Sequence, residues 1–385
     1  MSSSSEHITT LANQPPIEST LAGIAKKLVD PAGPAPLRQM AAKGLAPGLK
    51  PPDVLAVLVV LSGGEDEALA QTARVTLGAL PEQMLSGMLG SPLHPAALHA
   101  IAPFYAKNIQ VAERILQHEN VAVETVAEMA HASDEAVSEL IATNEQRLLA
   151  APSIIEALYR NKATRMSTAD RIVELAVRNN IELGLAAYRE LAQVLQNELI
   201  PEPTDEPTYD DLLFKEVEEL AMETDGVLED VTEVDKVTGV EVVKEQFKKQ
   251  EAKFQDLNTS GKIRRATVGK AADRMMAMRD TNPLVRAAGA KSEALTVEEA
   301  TLVAGNFNMS EDVLRILGNN RALTQKHVIV VKLAMNPRTP LAVSAKFIPF
   351  LRDGELRTLA SSKNVKGDLA KAAKQQLDRK GKGKA

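Results

Sequence analysis

The feature that most constrains this chain is a beat of helix starts in its last third. Thr339-Pro340 reads as a start, because a Thr hydroxyl accepts a first-turn N–H and a Pro at the first helical position gives up nothing. Working backwards, Thr324, Ser310, Thr296 and Asn282 each precede an apolar run of helical spacing, with Glu299 completing a Thr-x-x-Glu capping box. Forwards, Asp353 and Gly367 open two more. The starts at 282, 296, 310, 324, 339, 353 and about 367 are therefore 14 or 15 residues apart. A helix of about ten residues is unstable alone in water and must bury its stripe against its neighbours. The expected fold is all-α: an α-solenoid of short antiparallel helices, HEAT-like, in two lobes joined by an acidic linker.

The turns share a pattern. "VAGNFNMS", "ILGNNRALT", "LAMNPRTP" and "LASSKNVKG" each put a small residue before Asn. Asn306, Asn319, Asn336 and Asn364 are expected to be structural, closing helices in the left-handed conformation that Asn tolerates and that Gly305 and Gly318 adopt at lower cost. The N-terminal half keeps a looser beat, with starts at Pro81, His94-Pro95, Asn108, Asn120, Ser133 and Ser167 and an irregular turn near Asn144 and Pro152.

Composition agrees with helices. Aromatics are 3% with no Trp, so the core must come from Ala, Leu, Val, Ile and Met. No Cys is present, which removes disulfides, thiolate metal sites and a Cys nucleophile and suggests a cytoplasmic protein. The longest apolar run, "VLAVLVVL" at 54–61, is too short to span a bilayer, so no membrane insertion is expected.

Charge is unevenly placed. Residues 201–235 carry 14 acidic side chains and one basic, while 258–385 carry 24 basic and 11 acidic. The organisation expected from these readings is a disordered N-terminal tail (1–19), an irregular helical-repeat lobe (20–199), an acidic linker with a short helix and a charged helix (200–257), a regular repeat lobe (258–378) and a basic tail (379–385). Within the linker, Leu212, Leu213, Val217, Leu220 and Ala221 form an amphipathic stripe, and 241–257 reads as the charged helix. Opposite charge on adjacent segments suggests that the acidic segment folds back on the basic lobe.

The stretches "SGKIRRATVGKAADRMMAMRDTNPLV", "NMSEDVLRILGNN", "MNPRTPLAVSAKFIPFLRDGELRTLA" and "SSKNVKG" make residues 258–378 resemble bacterial helical-repeat proteins of deltaproteobacterial type, related in style to HEAT-like and leucine-rich-repeat-variant arrays. The resemblance implies a fold and no activity.

No motif carries catalysis. His94 and His99 are five apart, off the spacing that sets two ligands on one helical face, and His118, His131 and His327 lack a metalloprotease pattern. "TSGKIRRATVGKA" lacks phosphate-loop spacing. No cofactor is expected. The expected function is a non-enzymatic protein-protein interaction scaffold with a protein or peptide partner. The alternative is duplex nucleic-acid binding by the basic lobe, with Lys262, Arg264, Arg265, Lys270, Arg274, Arg279 and Arg286 as contacts to an anionic partner, masked by the acidic linker. Few aromatics are available to stack splayed bases, so a duplex backbone suits better than single strands. The oligomeric state is open.

Overall fold

The computed structural model describes residues 9–196, 203–223, 231–235 and 241–382. The described residues form 25 α-helices, a few 3-10 turns and one two-stranded antiparallel ribbon. None of these helices is long and apolar enough to cross a membrane. The chain divides after Leu183 into two compact units.

In the first unit the helices pack in two series, mostly each on the next but one. One series runs through Ala35–Ala42, Glu67–Gly78, Pro95–Tyr105, Val123–Ala132 and Pro152–Arg160; the other runs through Gly23–Val29, Pro51–Ser62, Glu82–Leu89, Ile109–Gln117, Glu135–Ala142 and Met166–Arg178. Leu55, Leu58, Leu85, Met88, Leu98 and Ile101 are fully buried between them. The second unit repeats the rule. Thr259–Val268 packs on Pro283–Lys291, which packs on Glu311–Asn319, while Ala271–Ala277, Val297–Gly305, His327–Met335 and Asp353–Ser361 form the second series. Tyr188–Leu195 belongs to this unit and packs on Thr259–Val268 and Pro283–Lys291.

Most expected starts fall on observed caps. Asn282 accepts from the Leu284 N–H at 2.9 Å, and Thr296 and Glu299 form their box, with both bonds at 3.2 Å. His94 and Asn108 cap their helices through side-chain acceptors, and Ser310 stands at its cap position. The exceptions have local causes. Thr324 ends a one-turn helix, Arg321–Thr324, because Asn320 Oδ1 captures the Ala322 and Leu323 N–H groups; the next long helix begins at His327. Pro340 takes the cap position itself and leaves the buried Thr339 hydroxyl without a hydrogen-bond partner. Near Asn144 and Pro152 stand two helices, Glu145–Ala150 and Pro152–Arg160, where an irregular turn was expected. Asp134 replaces Ser133 as a cap, since its carboxylate accepts from Val137 at 3.0 Å.

The turn asparagines act differently from expectation. Asn306 and Asn336 have φ of −83° and −78°, extended and not left-handed. Their side chains do the closing. Asn336 Nδ2 donates to the Ala304 and Asn306 carbonyls at 2.9 and 2.8 Å, and its Oδ1 accepts from Arg338 at 3.0 Å. The same device occurs in the first unit: Asn161 Nδ2 bonds Ala130 O and Ser133 O, and its Oδ1 takes the Ala163 N–H. Each side chain thus satisfies carbonyls left over at the end of the preceding helix of the same series, which a helix terminus requires when it is buried. Asn319 and Asn364 are exposed and do not share this role. Gly318 is not a closer either; a Cβ there would stand 2.3 Å from Val343 Cγ1, so it permits close helix approach. Asn336→Ala is expected to cost about 2–3 kcal/mol, because two carbonyls lose their donor in a buried site. A urea midpoint unchanged from wild type would contradict this account of the turns.

Three segments differ from the sequence reading. Residues 9–20 are held in place: Leu11 N donates to Glu124 at 3.1 Å and Val123 N to Thr9 O at 3.0 Å, with short 3-10 turns at Leu11–Asn13 and Ile17–Thr20. The expected helix over 241–257 is shortened to Lys248–Asp256, because the β-branched "EVV" at Glu241–Val243 pairs antiparallel with Thr232–Val234. The last helix, Gly367–Lys382, runs into the segment read as a basic tail. The expected disorder of 1–8 and 383–385 lies outside the described residues.

Candidate binding surface

The seven basic residues singled out in the sequence are spent largely inside the second unit. Arg264 and Arg265 are both 0% exposed, on a helix whose N-terminus is capped by Asn258. Their guanidinium carbons lie 4.8 and 5.1 Å from the Phe214 ring centre. Arg265 also pairs with Glu218 and with Asp273. Asp273 is fully buried and takes further bonds from Gln250 Nε2 at 2.6 Å and Lys270 N at 3.1 Å. Burial pushes the Asp273 carboxyl up, against the pull of Arg265 and of these donors.

Phe214 and Glu218 come from the helix Tyr209–Glu223, the middle of the acidic run. Its buried face is Asp211, Leu213, Phe214, Val217 and Ala221; Leu212, assigned to the stripe by spacing, is exposed and Phe214 takes its place. Asn258 donates to Asp210 at 3.1 Å and Lys253 pairs with Glu216 at 3.3 Å. This helix packs on Lys248–Asp256 and Thr259–Val268, so opposite charges on adjacent segments do meet here.

The remaining cations act as ties between helices. Arg274 grips Glu299 with two bonds, 3.0 and 2.7 Å, and donates a third to Gly269 O at 2.8 Å. Glu299 therefore serves both its own capping box and a buried pair. Arg286 holds Asp312 at 2.9 Å and the carbonyls of Asp280 and Thr281. Lys262 pairs with Asp280 at 3.0 Å, and Arg279 stands 3.6 Å from Glu241. Lys270 is half-buried at the cap of Ala271–Ala277.

These ties set a pH dependence. Burial pushes the Glu241 carboxyl up, but bonds from Thr232 and Asn306, the charge of Arg279 and a bond from Asn308 outweigh it and hold the group low. Asp312 is likewise raised by burial and lowered further by Ser310, the Arg286 guanidinium and the Val313 N–H. A carboxylate held low in the folded state contributes stability that is present above its unfolded pKa and lost as pH falls through the folded one. The urea midpoint is therefore expected to fall below about pH 4 to 4.5, the ordinary carboxylate range. Asp312→Asn, already without its carboxylate, should show a shallower acid limb; an equal or steeper one would contradict the pairing.

Large apolar side chains are exposed in both units, among them Tyr209, Phe307 and Phe350 in the second. In the first unit Leu37 and Met40 of Ala35–Ala42, Val75 of Glu67–Gly78 and Phe104 of Pro95–Tyr105 are exposed, on three successive helices of one series. Phe104 lies against Gly78, where an added Cβ would be 2.9 Å from its ring, so it borders the helix that carries Val75. The sequence reading missed these positions, because an exposed Leu or Val looks like core until its helix face is known. No group of three or more His, Asp or Glu that could hold a metal ion occurs among the described residues. No protein-family model, curated protein or solved structure matches the chain.

Proposed function

We propose that this protein is a non-enzymatic scaffold: a HEAT-like α-solenoid in each unit, working in the cytoplasm, that binds a protein partner on the exposed apolar side chains of the first unit. The observation that carries the reading is Leu37, Met40, Val75 and Phe104, left in water on three successive helices of one packed series. Stacked helices give an extended surface, and apolar residues that neighbour one another on such a surface mark association sites. Duplex binding by the basic segment is less well supported. Arg264, Arg265 and Arg274 are buried, and Lys262, Arg279 and Arg286 have carboxylate partners, which leaves little free charge among the residues expected to contact a phosphate backbone.

The test is site-specific photo-crosslinking in cells that make the protein, with the reactive side chain at Val75 or Phe104 and, as controls, at the exposed Glu113 or Gln117 of another helix. The expected result is one and the same protein adduct from both apolar positions and none from the controls. No adduct from Val75 and Phe104, or equal adducts from all four positions, would overturn the reading.

A further inference from the structure

Beside Met40 the first unit carries an open apolar trough of about 470 Å³, lined by Met40, Leu45, Leu49, Pro51, Val54 and Met84. Its shape follows from a helix ending. Ala35–Ala42 closes with Gly44 at φ +75°, and Leu45 N donates to Met40 O at 3.0 Å across the turn. This is the bond pattern in which the residue after a left-handed Gly packs on the residue five back, and it brings Leu45 to Met40. Gly48 at φ +88° turns the chain again, and a Cβ there would lie 3.8 Å from Ile24 Cδ1, which places Ile24 beside the same loop. Leu45 is 59% exposed and Ile24 52%. Two methionines in one trough make a soft lining that can repack around an inserted side chain.

Cations outnumber acids in the chain around the trough. Between Leu21 and Val54 it carries Lys26, Lys27, Arg38, Lys43 and Lys50 against Asp30 and Asp53. Lys26, Lys27, Lys43 and Lys50 are exposed, and none of these five cations forms an ion pair among the described residues, in contrast to Lys262, Arg265, Arg274, Arg279 and Arg286. Arg38 and Lys43 also line a second hollow of about 280 Å³ with Gln39 and Asp66, and Arg38 Nε has no hydrogen-bond partner.

We propose that this trough binds an acidic amphipathic helix of a partner protein. Apolar residues at i, i+3, i+4 and i+7 of that helix enter between Met40, Leu45, Leu49 and Met84, and its flanking carboxylates meet Lys43 and Lys50, which adjoin lining residues in the chain, the usual division of labour for a helix in a groove. The concavity favours a helix over a lipid surface, which asks for a projecting apolar edge. The inference rests on the scaffold reading and names the chemistry of its partner.

The experiment is fluorescence anisotropy with the full chain and a labelled peptide that has Leu at helical spacing and Glu elsewhere. The same peptide with Lys for every Glu, and vesicles of phosphatidylserine and phosphatidylcholine in equal parts, are the comparisons. The acidic peptide is expected to bind at least about tenfold tighter than the basic one. Binding should be lost in Met40→Glu/Leu45→Glu. In Lys43→Glu/Lys50→Glu it should weaken about tenfold and lose its salt dependence. All four substituted side chains are exposed, so the melting temperature should not move. Absence of acidic-peptide binding, equal binding of the basic peptide, or binding that survives Met40→Glu/Leu45→Glu would overturn the proposal. Vesicle binding that depends on Met40 and Leu45 without peptide binding would assign the surface to a membrane instead. If the trough fails while Val75 and Phe104 still crosslink to a protein, the partner chemistry is wrong and the scaffold reading stands.

Discussion

Arg265→Met is expected to lower the stability of the second unit by about 3–5 kcal/mol, the cost of removing one partner from a buried ion pair. The reason is what remains. Asp273 stays enclosed with the Gln250 amide and the Lys270 N–H donating to it and, among the described residues, no cation beside it, and Glu218 loses the guanidinium it faces. A buried carboxylate without a counter-charge has its pKa raised in the folded state, so the folded state binds the extra proton. Its destabilisation is then largest at neutral pH and shrinks as pH falls. Urea melts of wild type and Arg265→Met across that range check both statements. A deficit under about 1 kcal/mol at neutral pH, or one that grows on acidification, would show that the cluster does not hold the unit together.

Phe214→Ala should have a similar effect, about 3–5 kcal/mol, as expected for truncating a buried Phe. Its ring is 3% exposed and lies under both guanidinium groups, so the substitution removes apolar burial and two cation–π contacts together. Leu212→Ala is the control. It sits two residues away on the same helix, yet it is exposed and should change stability by no more than about 0.5 kcal/mol. The pair separates a docked helix from a solvated one, because in a solvated helix both substitutions would be small. The urea midpoints of the two variants decide it.

The helical architecture was legible because its signals are local. A Thr-x-x-Glu box at Thr296 and Glu299, or Asn282 before Pro283, needs only the chain's own next turn to form. Starts drifted where a rival acceptor intervened, as at Asn320, whose side-chain oxygen takes the Ala322 and Leu323 N–H groups and opens a one-turn helix that Thr324 ends. Asn336 was marked as structural for the wrong reason: its backbone is ordinary, and its partners are carbonyls 30 and 32 residues earlier in the chain.

The basic residues show the same limit more sharply. Composition counts cations but does not say which carboxylate each will meet. Arg274 and Glu299 are 25 residues apart and Arg286 and Asp312 are 26, the reach between a helix and the next but one. That signal was present in the sequence, and it is visible once the helix beat is doubled. The lysines around the Met40 trough were overlooked for the opposite reason: residues 1–200 together are acidic, and the local excess at 26–50 disappears in that average. Leu212 and Phe214 exchanged roles because the stripe read from the aliphatic residues Leu212, Leu213, Val217, Leu220 and Ala221 passed over the aromatic beside them.

The central claim is that the cations of the second unit are internal ties, with the acidic helix Tyr209–Glu223 part of the same packed body. Hydrogen exchange of the full chain tests it most directly, with the amides of 209–223 compared with those of Thr259–Val268. Shared contacts through Phe214, Arg264 and Arg265 predict that the two helices exchange slowly and together, with one opening free energy. Rapid exchange of 209–223 beside a protected Thr259–Val268 would contradict the claim and return Arg264 and Arg265 to the set of cations available for an anionic partner.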